Sequence, residues 1–167
     1  MNSFELTIKL ADINDLEAIN EIYNYYVLNS TASYQTLPET IMNRKEWFEK
    51  HDLNYPIYVA MYQNQIIGWA SLSKYNVRQA YLPTVEDSIY IHHEFKMMGI
   101  GSVLMEKIIE SAHKLKYHSI IAGISADQTA SIALHQKFGF QKVAHLKEVG
   151  YKFNQWLDVI YMQKMLY

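Results

Sequence analysis

Lys96, Met97, Met98, Gly99, Ile100 and Gly101 stand between an apolar, β-branched run at 84–92 and a helical pattern. Strand, glycine turn, helix is an arrangement suited to phosphate. Glycine lets the backbone close on an anion, the first amides of a helix point at it without partners, and the helix dipole favours negative charge. Lys96 would add a full positive charge. The spacing lacks the third glycine of a dinucleotide fingerprint and the Gly-Lys-Ser/Thr of a P-loop, so both nucleotide readings lose ground. Two glycines before a helix also serve simply to turn a chain, and spacing leaves both readings open. Glu86 lies on the strand before the turn, and His135 lies ahead of Phe138, Gly139 and Phe140. A carboxylate and an imidazole can each move protons near neutral pH. The plain alternatives are a solvated strand carboxylate and a packed, hydrogen-bonded histidine. His92, His93 and Glu94 invite a metal reading, but strand neighbours point to opposite faces and no His-Glu-x-x-His spacing is present. No metal is expected.

The elements that must position these residues follow from periodicity. Residues 5–10 alternate as a short strand, and Asp12 offers an N-cap to a helix with apolar Ile13, Leu16, Ile19, Ile22 and Tyr23. A weaker helix begins near Pro38 and carries Ile41, Trp47 and Phe48. Runs 57–62 and 65–73, split by Gln63 and Asn64, suit an antiparallel hairpin; 74–83 reads as a loop. After the glycine turn, Val103, Leu104, Ile108, Ala112 and Leu115 make an apolar helix face. A strand at 118–124 follows, then a helix capped by Asp127 and ended by Gly139, then strands at 141–149 and 156–162. The order β-α-α-β-β-β-α-β-α-β-β, with no repeat or linker, predicts an α/β (α+β) domain over residues 1–167: a mixed, mostly antiparallel sheet flanked by helices. Tyr23, Trp47, Trp69 and Trp156 read as core aromatics, whereas Tyr34 and Tyr75 fall in loops.

Composition bounds the partners. With 15 basic and 17 acidic residues the formal charge is -2, which provides no global positive field for nucleic acid or an anionic membrane. A small molecule is the expected partner. Cysteine is absent, which removes disulfides and thiolate chemistry. Residues 1–10 lack the basic flank and apolar core of a secretory leader, and no run of eighteen apolar residues occurs, so a soluble cytoplasmic protein is expected.

A basic or glutamine residue, two residues, Gly, one residue, Gly, all after a strand, resembles the acetyl-CoA motif of the GNAT acetyltransferases, with Lys96 at the Arg/Gln position. The resemblance spans nearly the whole chain and narrows to the phosphinothricin and methionine sulfone/sulfoximine N-acetyltransferase group. It is carried by Glu21-Ile22-Tyr23-Asn24, Thr84-Val85-Glu86-Asp87-Ser88-Ile89-Tyr90-Ile91, Ala130-Ser131-Ile132-Ala133-Leu134-His135 and Trp156-Leu157-Asp158-Val159. It implies the GNAT fold, acetyl-CoA as co-substrate and a homodimer. The pantothenate arm would run beside Ile89, Tyr90 and Ile91, and the pyrophosphate would lie on the turn from Lys96 to Ser102. Gln128, where the family usually shows Asn, and His135 would stand at the thiol end.

An amine must be neutral to attack a thioester, yet an aliphatic amine is mostly protonated at pH 7, so a base is required. The resemblance gives that role to Glu86 and places His135 where many relatives carry a tyrosine that protonates the departing thiolate. Tyr34, Tyr75, Asn76 and Arg78 are expected to line the acceptor site, with Arg78 clamping a carboxylate. Asn76 and Leu82 stand where the family carries basic residues, and Asn154-Gln155 replaces a Gly-Arg, so a small amino acid or related amine is the expected acceptor rather than phosphinothricin specifically. Two further readings share the fold: a non-catalytic acetyl-CoA sensor and a protein N-acetyltransferase.

Overall fold

The computed structural model describes residues 5–167. The absence of a leader, expected from residues 1–10, falls in part on residues 1–4, which lie outside the described residues. The element order is β1 (Thr7–Leu10), α1 (Leu16–Asn29), α2 (Ile41–Glu49), β2 (Ile57–Tyr62), β3 (Gln65–Lys74), β4 (Thr84–Ile91), α3 (Ile100–Lys114), β5 (Ser119–Ser125), α4 (Thr129–Lys137), β6 (Gln141–Lys152) and β7 (Gln155–Met165). Among the described residues no helix is long and apolar enough to cross a membrane.

Local chemistry explains several boundaries. Asp12 caps a short 3₁₀ turn, Ile13–Asp15, whose Asp15 reaches back in a capping box, and α1 starts only after it; Ile13 is consequently 51% exposed. The second helix begins at Ile41 because the Thr40 hydroxyl accepts from the Asn43 amide, so Pro38 lies outside it. Gln63 and Asn64 both adopt positive φ, the geometry that joins β2 to β3. Asp127 does not cap α4: its carboxylate accepts from the Thr31 hydroxyl at 2.8 and 2.6 Å, and Gln128 holds the cap position. Val103 is exposed, and the buried face of α3 is Ile100, Leu104, Met105, Ile108, Ser111 and Ala112. Trp156 is also exposed, its ring tilted against that of Tyr151.

Seven strands form one sheet in the order β1-β2-β3-β4-β5-β7-β6. Pairing is antiparallel except between β4 and β5, whose parallel ladder spans only Thr84–Ser119 to Glu86–Ile121. One face packs on α3 and α4 through Leu72, Val85, Leu104, Ile108, Ile120 and Met162. The other packs on α1 and α2 through Ile19, Ile22, Val59 and Trp69.

Residues 30–34, after α1, are tied down from several elements. Tyr90 donates to the Ala32 carbonyl, Lys152 donates to the Ser30 and Ser33 carbonyls at 2.8 and 2.6 Å, and Gln128 donates to Thr31. Tyr34 donates to Ser125 Oγ and the Asp158 carbonyl, its ring lying flat against Gly150. A Cβ on Gly150 would stand 2.6 Å from that ring. Gly150→Ala is therefore expected to destabilise the protein by about 1–3 kcal/mol in urea unfolding, and to do so far less in a Tyr34→Ala background.

Candidate functional site

The sheet divides neighbouring residues of β4 between two environments. Glu86, Ser88 and Tyr90 face α1 and α2, sharing that face with Ser73, Ser71 and Trp69 across the β3 ladder. Val85, Asp87, Ile89 and Ile91 face α3 and α4. Beyond the Glu86–Ile121 pair β5 leaves β4, so the β5-side edge of β4 from Asp87 to Ile91 has no strand beside it. A gap between two diverging parallel strands, with unpaired backbone on its wall, accepts an extended molecule as an added strand does.

Glu86 stands at the mouth of that gap. Its Oε1 lies 3.7 Å from where a Cβ on Gly123 of β5 would be, so glycine at 123 leaves room over the second wall. Burial, and then the charge of Asp87, push the Glu86 carboxyl above its ordinary range. No side-chain partner holds it in an ion pair among the described residues. A partly desolvated, unpaired carboxylate is chemically a proton acceptor in waiting.

His135 lies under the opposite face and is engaged at both nitrogens. Nδ1 meets the Ser131 carbonyl at 2.7 Å and Nε2 meets Asp87 Oδ2 at 3.0 Å, with both side chains buried. A carbonyl oxygen can only accept, so Nδ1 carries a proton. A second proton must lie between Nε2 and the carboxylate. Burial alone would lower the histidine pKa, but the hydrogen bond and charge of Asp87, helped by Ser131, raise it. Asp87 Oδ1 stays buried with no partner among the described residues. The expected proton donor to a thiolate is thus a buried half of an ion pair, and Asp87 is a site residue that the sequence reading passed over.

The glycine turn is built as expected but with its two glycines in different roles. Gly99 has φ of 83° with open space around it, and it caps α3; Met97 also adopts positive φ. Gly101 lies inside the first helical turn, where a Cβ would meet Leu134 of α4 at 3.2 Å, so it sets how closely α4 approaches. The amides from Lys96 to Gly101 donate no hydrogen bond among the described residues, while Ser102 and Val103 already bond the Gly99 carbonyl. The Lys96 ammonium rests 5.0 Å from the Tyr26 ring centre, and Lys137, unnoticed in the sequence, brings its own ammonium to Ser102 Oγ at 3.1 Å. Along the expected pantothenate track Tyr26 already donates to the Ile91 carbonyl at 2.6 Å and the Tyr90 backbone is turned to β3, paired with Trp69, whereas Ile89 carries no such competitor on its backbone.

Several expected site residues have other employment. The Tyr34 hydroxyl is bound to Ser125 and Asp158, and the Gln128 amide to Thr31, so both fix the 30–34 segment. Tyr75, Asn76 and Arg78 lie together on the exposed β3–β4 loop: Tyr75 packs edgewise on Tyr81, Asn76 accepts from the Arg78 amide, and the Arg78 guanidinium makes no bond among the described residues. His92 and His93 do not point apart, because the chain leaves the strand at His92; their rings stack 4.5 Å apart and His93 stacks on Tyr25 at 4.0 Å. Among the described residues no group of three His, Asp or Glu is placed to hold a metal ion. A cavity of about 440 Å³ lies between α1, α2, β3 and β4, lined by Tyr23, Glu39, Arg44, Trp47, Trp69, Ser88 and Tyr90 among others. Arg44, the buried residue of α2, was not singled out in the sequence, although it stands in the same helical stripe as Ile41, Trp47 and Phe48.

The pair Asp87–His135 makes stability depend on pH. A histidine pKa raised by folding stabilises most below its unfolded value near 6.5 and loses that contribution as pH rises through the folded value. Asp87→Asn removes the raising influence and leaves the lowering one. It is expected to cost roughly 1–3 kcal/mol at pH 6, with a gap to wild type that narrows toward pH 9 in urea unfolding; a constant gap across that range would contradict a charged pair.

The profile of the acetyltransferase (GNAT) domain matches residues 8–161. The chain is 36% identical to an L-methionine sulfoximine/L-methionine sulfone acetyltransferase of Salmonella typhimurium over 162 residues, 96% of this chain and 95% of that protein. Two solved structures superpose with TM-scores of 0.93 at 36% identity: an acetyltransferase from Salmonella typhimurium with acetyl-CoA, over 97% of this chain and 94% of that one, and a phosphinothricin acetyltransferase from Sinorhizobium meliloti with acetyl-CoA, over 96% and 88%. The seven-stranded mixed sheet, its diverging central strands and the glycine turn at the head of α3 thereby receive one explanation: the chain belongs to the GNAT acetyltransferase family.

Proposed function

We propose that the protein transfers the acetyl group of acetyl-CoA to the amino group of a small amino acid or analogue of the methionine sulfone, sulfoximine or phosphinothricin kind. The observation that carries this reading is the end of the β4–β5 ladder at Glu86–Ile121. It leaves a gap with unpaired amides and the α3 N-terminus at one end and a desolvated carboxylate at the other. Lys96 to Gly101 would take the diphosphate on free amides, with Ser102 and Lys137 beside it, and the pantetheine arm would follow the open edge of β4 at Ile89. The thioester then lies between the strands, within reach of both sheet faces. Glu86 takes a proton from the acceptor ammonium, directly or through a water. The amine attacks the thioester carbonyl carbon, a C–N bond forms and the C–S bond breaks; the thiolate takes up the second proton that the amine gives up on becoming an amide, so the coenzyme leaves as its thiol. His135, charged against Asp87, supplies a buried positive potential to the departing sulfur from the opposite face.

Acceptors of this chemistry are what the named relatives act on, and a cavity of about 440 Å³ beside Ser88 suits a molecule of that size. Arg78 stands unpaired on the loop leading into β4, available for a carboxylate. We place the protein in the cytoplasm and read it as a homodimer, the second reading supported by the exposed apolar side chains Val143, Val149, Phe153 and Trp156 of β6, β7 and the turn joining them.

Thiol release from acetyl-CoA over a panel of amino acids tests the reading, with Glu86→Gln as the control. That substitution keeps shape but cannot take a proton, so turnover should fall roughly 10²–10⁴-fold with acetyl-CoA affinity kept. The remaining rate should climb with pH as the amine loses its own proton, whereas wild type should show an acid limb set by the raised Glu86 pKa. Arg78→Ala should raise KM for carboxylated acceptors about ten- to a hundredfold and spare amines lacking the carboxylate; equal losses for both would remove the clamp.

A further inference from the structure

The cavity between α1, α2, β3 and β4 holds a cation that the protein leaves unneutralised. Arg44 is 4% exposed, with its guanidinium 4.3 Å from the Tyr23 ring centre, 4.7 Å from Trp47 and 6.0 Å from Trp69. Its Nε donates to Asn20 Oδ1 at 3.2 Å. The terminal nitrogens, four N–H donors, have no acceptor among the described residues, and Glu39 and Glu46, which also line the cavity, form no ion pair with it. Burial draws the guanidinium below its ordinary pKa, opposed by Tyr23 and Glu39. Trp69, next to it, likewise has a buried indole N–H without a partner. Buried charges in proteins are ordinarily paired, because removing water from a lone cation is expensive. A protein that spends α2 on placing an unpaired guanidinium in a cavity wall has left its counterpart to a ligand.

Register tells which part of a ligand would reach it. Along one face of β4 Ser88 lies about 7 Å and Tyr90 about 13 Å from Glu86, at about 3.3 Å per residue. The cavity touches Ser88 and Tyr90, and Arg44 belongs to the Tyr90 end, because Trp69 under it pairs with Tyr90. An amine served by Glu86 lies at the Ser88 end, so Arg44 meets the far end of the acceptor's side chain rather than its α-carboxylate. We propose that Arg44 is a specificity-determining residue that receives two oxygens borne on one terminal atom of that side chain, such as a sulfonyl or phosphinyl group, in its unpaired N–H fork. A guanidinium matches two oxygens on one atom where an ammonium does not. The aromatic rings around it hold the fork in place, so little ordering remains to be done on binding.

This inference rests on the acetyltransferase reading, and the test separates the two. L-Methionine sulfone and L-norleucine have the same chain length and differ in carrying SO₂ or CH₂ at one position. Wild-type protein should favour the sulfone in kcat/KM by about ten- to a hundredfold. In Arg44→Met that preference should fall to within about threefold, through a higher KM for the sulfone, while norleucine loses far less. Arg44→Lys should give an intermediate ratio, and it serves as the test should Arg44→Met fail to fold, as judged by lost acetyl-CoA affinity. An undiminished preference in the variants, or equal losses for both acceptors, overturns the assignment and makes Arg44 structural. Should wild type acetylate neither, the acetyltransferase reading of the acceptor fails, and the site is read alone from Trp47 and Trp69 emission in a Trp156→Phe background. Quenching by methionine sulfone that Arg44→Met abolishes supports the site. No quenching by the sulfone overturns it.

Discussion

The separation of β4 from β5 after three paired residues is the constraint on which the rest depends. Two parallel strands at the centre of a sheet would ordinarily continue side by side, since each residue of the ladder satisfies backbone groups that are costly to leave buried and unpaired. Here pairing stops at Glu86–Ile121 although β4 runs on to Ile91. Something must hold the strands apart and something must satisfy the exposed edge. The first is done by the protein: Gly101 admits Leu134 of α4 close to α3, and His135 on the same helix anchors to Asp87, the first residue past the break. The second is left to a ligand.

The opposite face is organised by the 30–34 segment. Its carbonyls and hydroxyls are claimed by Tyr90, Lys152, Gln128 and Asp127, drawn from three separate stretches of chain. Burial lowers the Lys152 pKa, yet its ammonium satisfies two carbonyls at the end of α1 that would otherwise lack donors. The segment is thereby a roof held chiefly by polar bonds, with Ala32 packed on the cluster of Ile19, Ile22 and Trp69. A polar roof of this kind is rigid only while every bond is made, which explains why Tyr34 and Gln128 are occupied in structure rather than facing a ligand.

The sequence made legible what local periodicity and local turns encode. The order of elements, the hairpin at Gln63–Asn64, the glycine turn and the position of Glu86 on its strand all emerge from patterns within about fifteen residues. What stayed hidden depends on distant partners. Asp87 lies 48 positions from His135, and nothing in the neighbourhood of either announces the pairing, although an aspartate in the alternation Val85, Asp87, Ile89, Ile91 is a local sign of a buried charge. Asp127 looks like a helix cap because its nearest amides are available to it, and Thr31, 96 positions away, wins. Arg44 becomes a buried cation only once the fold stacks it among aromatic rings of α1, α2 and β3.

Placing Glu86 and Asp87 side by side in the chain links proton chemistry on the two faces. Alternation sends one carboxylate to each side of the sheet, close enough for the charge of Asp87 to raise the Glu86 pKa. A fully uncompensated Asp87 would make Glu86 hold its proton more tightly, leaving less of it ready as a base at neutral pH. The His135 imidazolium, fixed by the Ser131 carbonyl, offsets that charge from the far side. The Glu86 carboxyl is thus raised first by desolvation and then by the charge of Asp87. Glu86 and His135 are thereby linked electrostatically through Asp87, although the two side chains never share a face of the sheet.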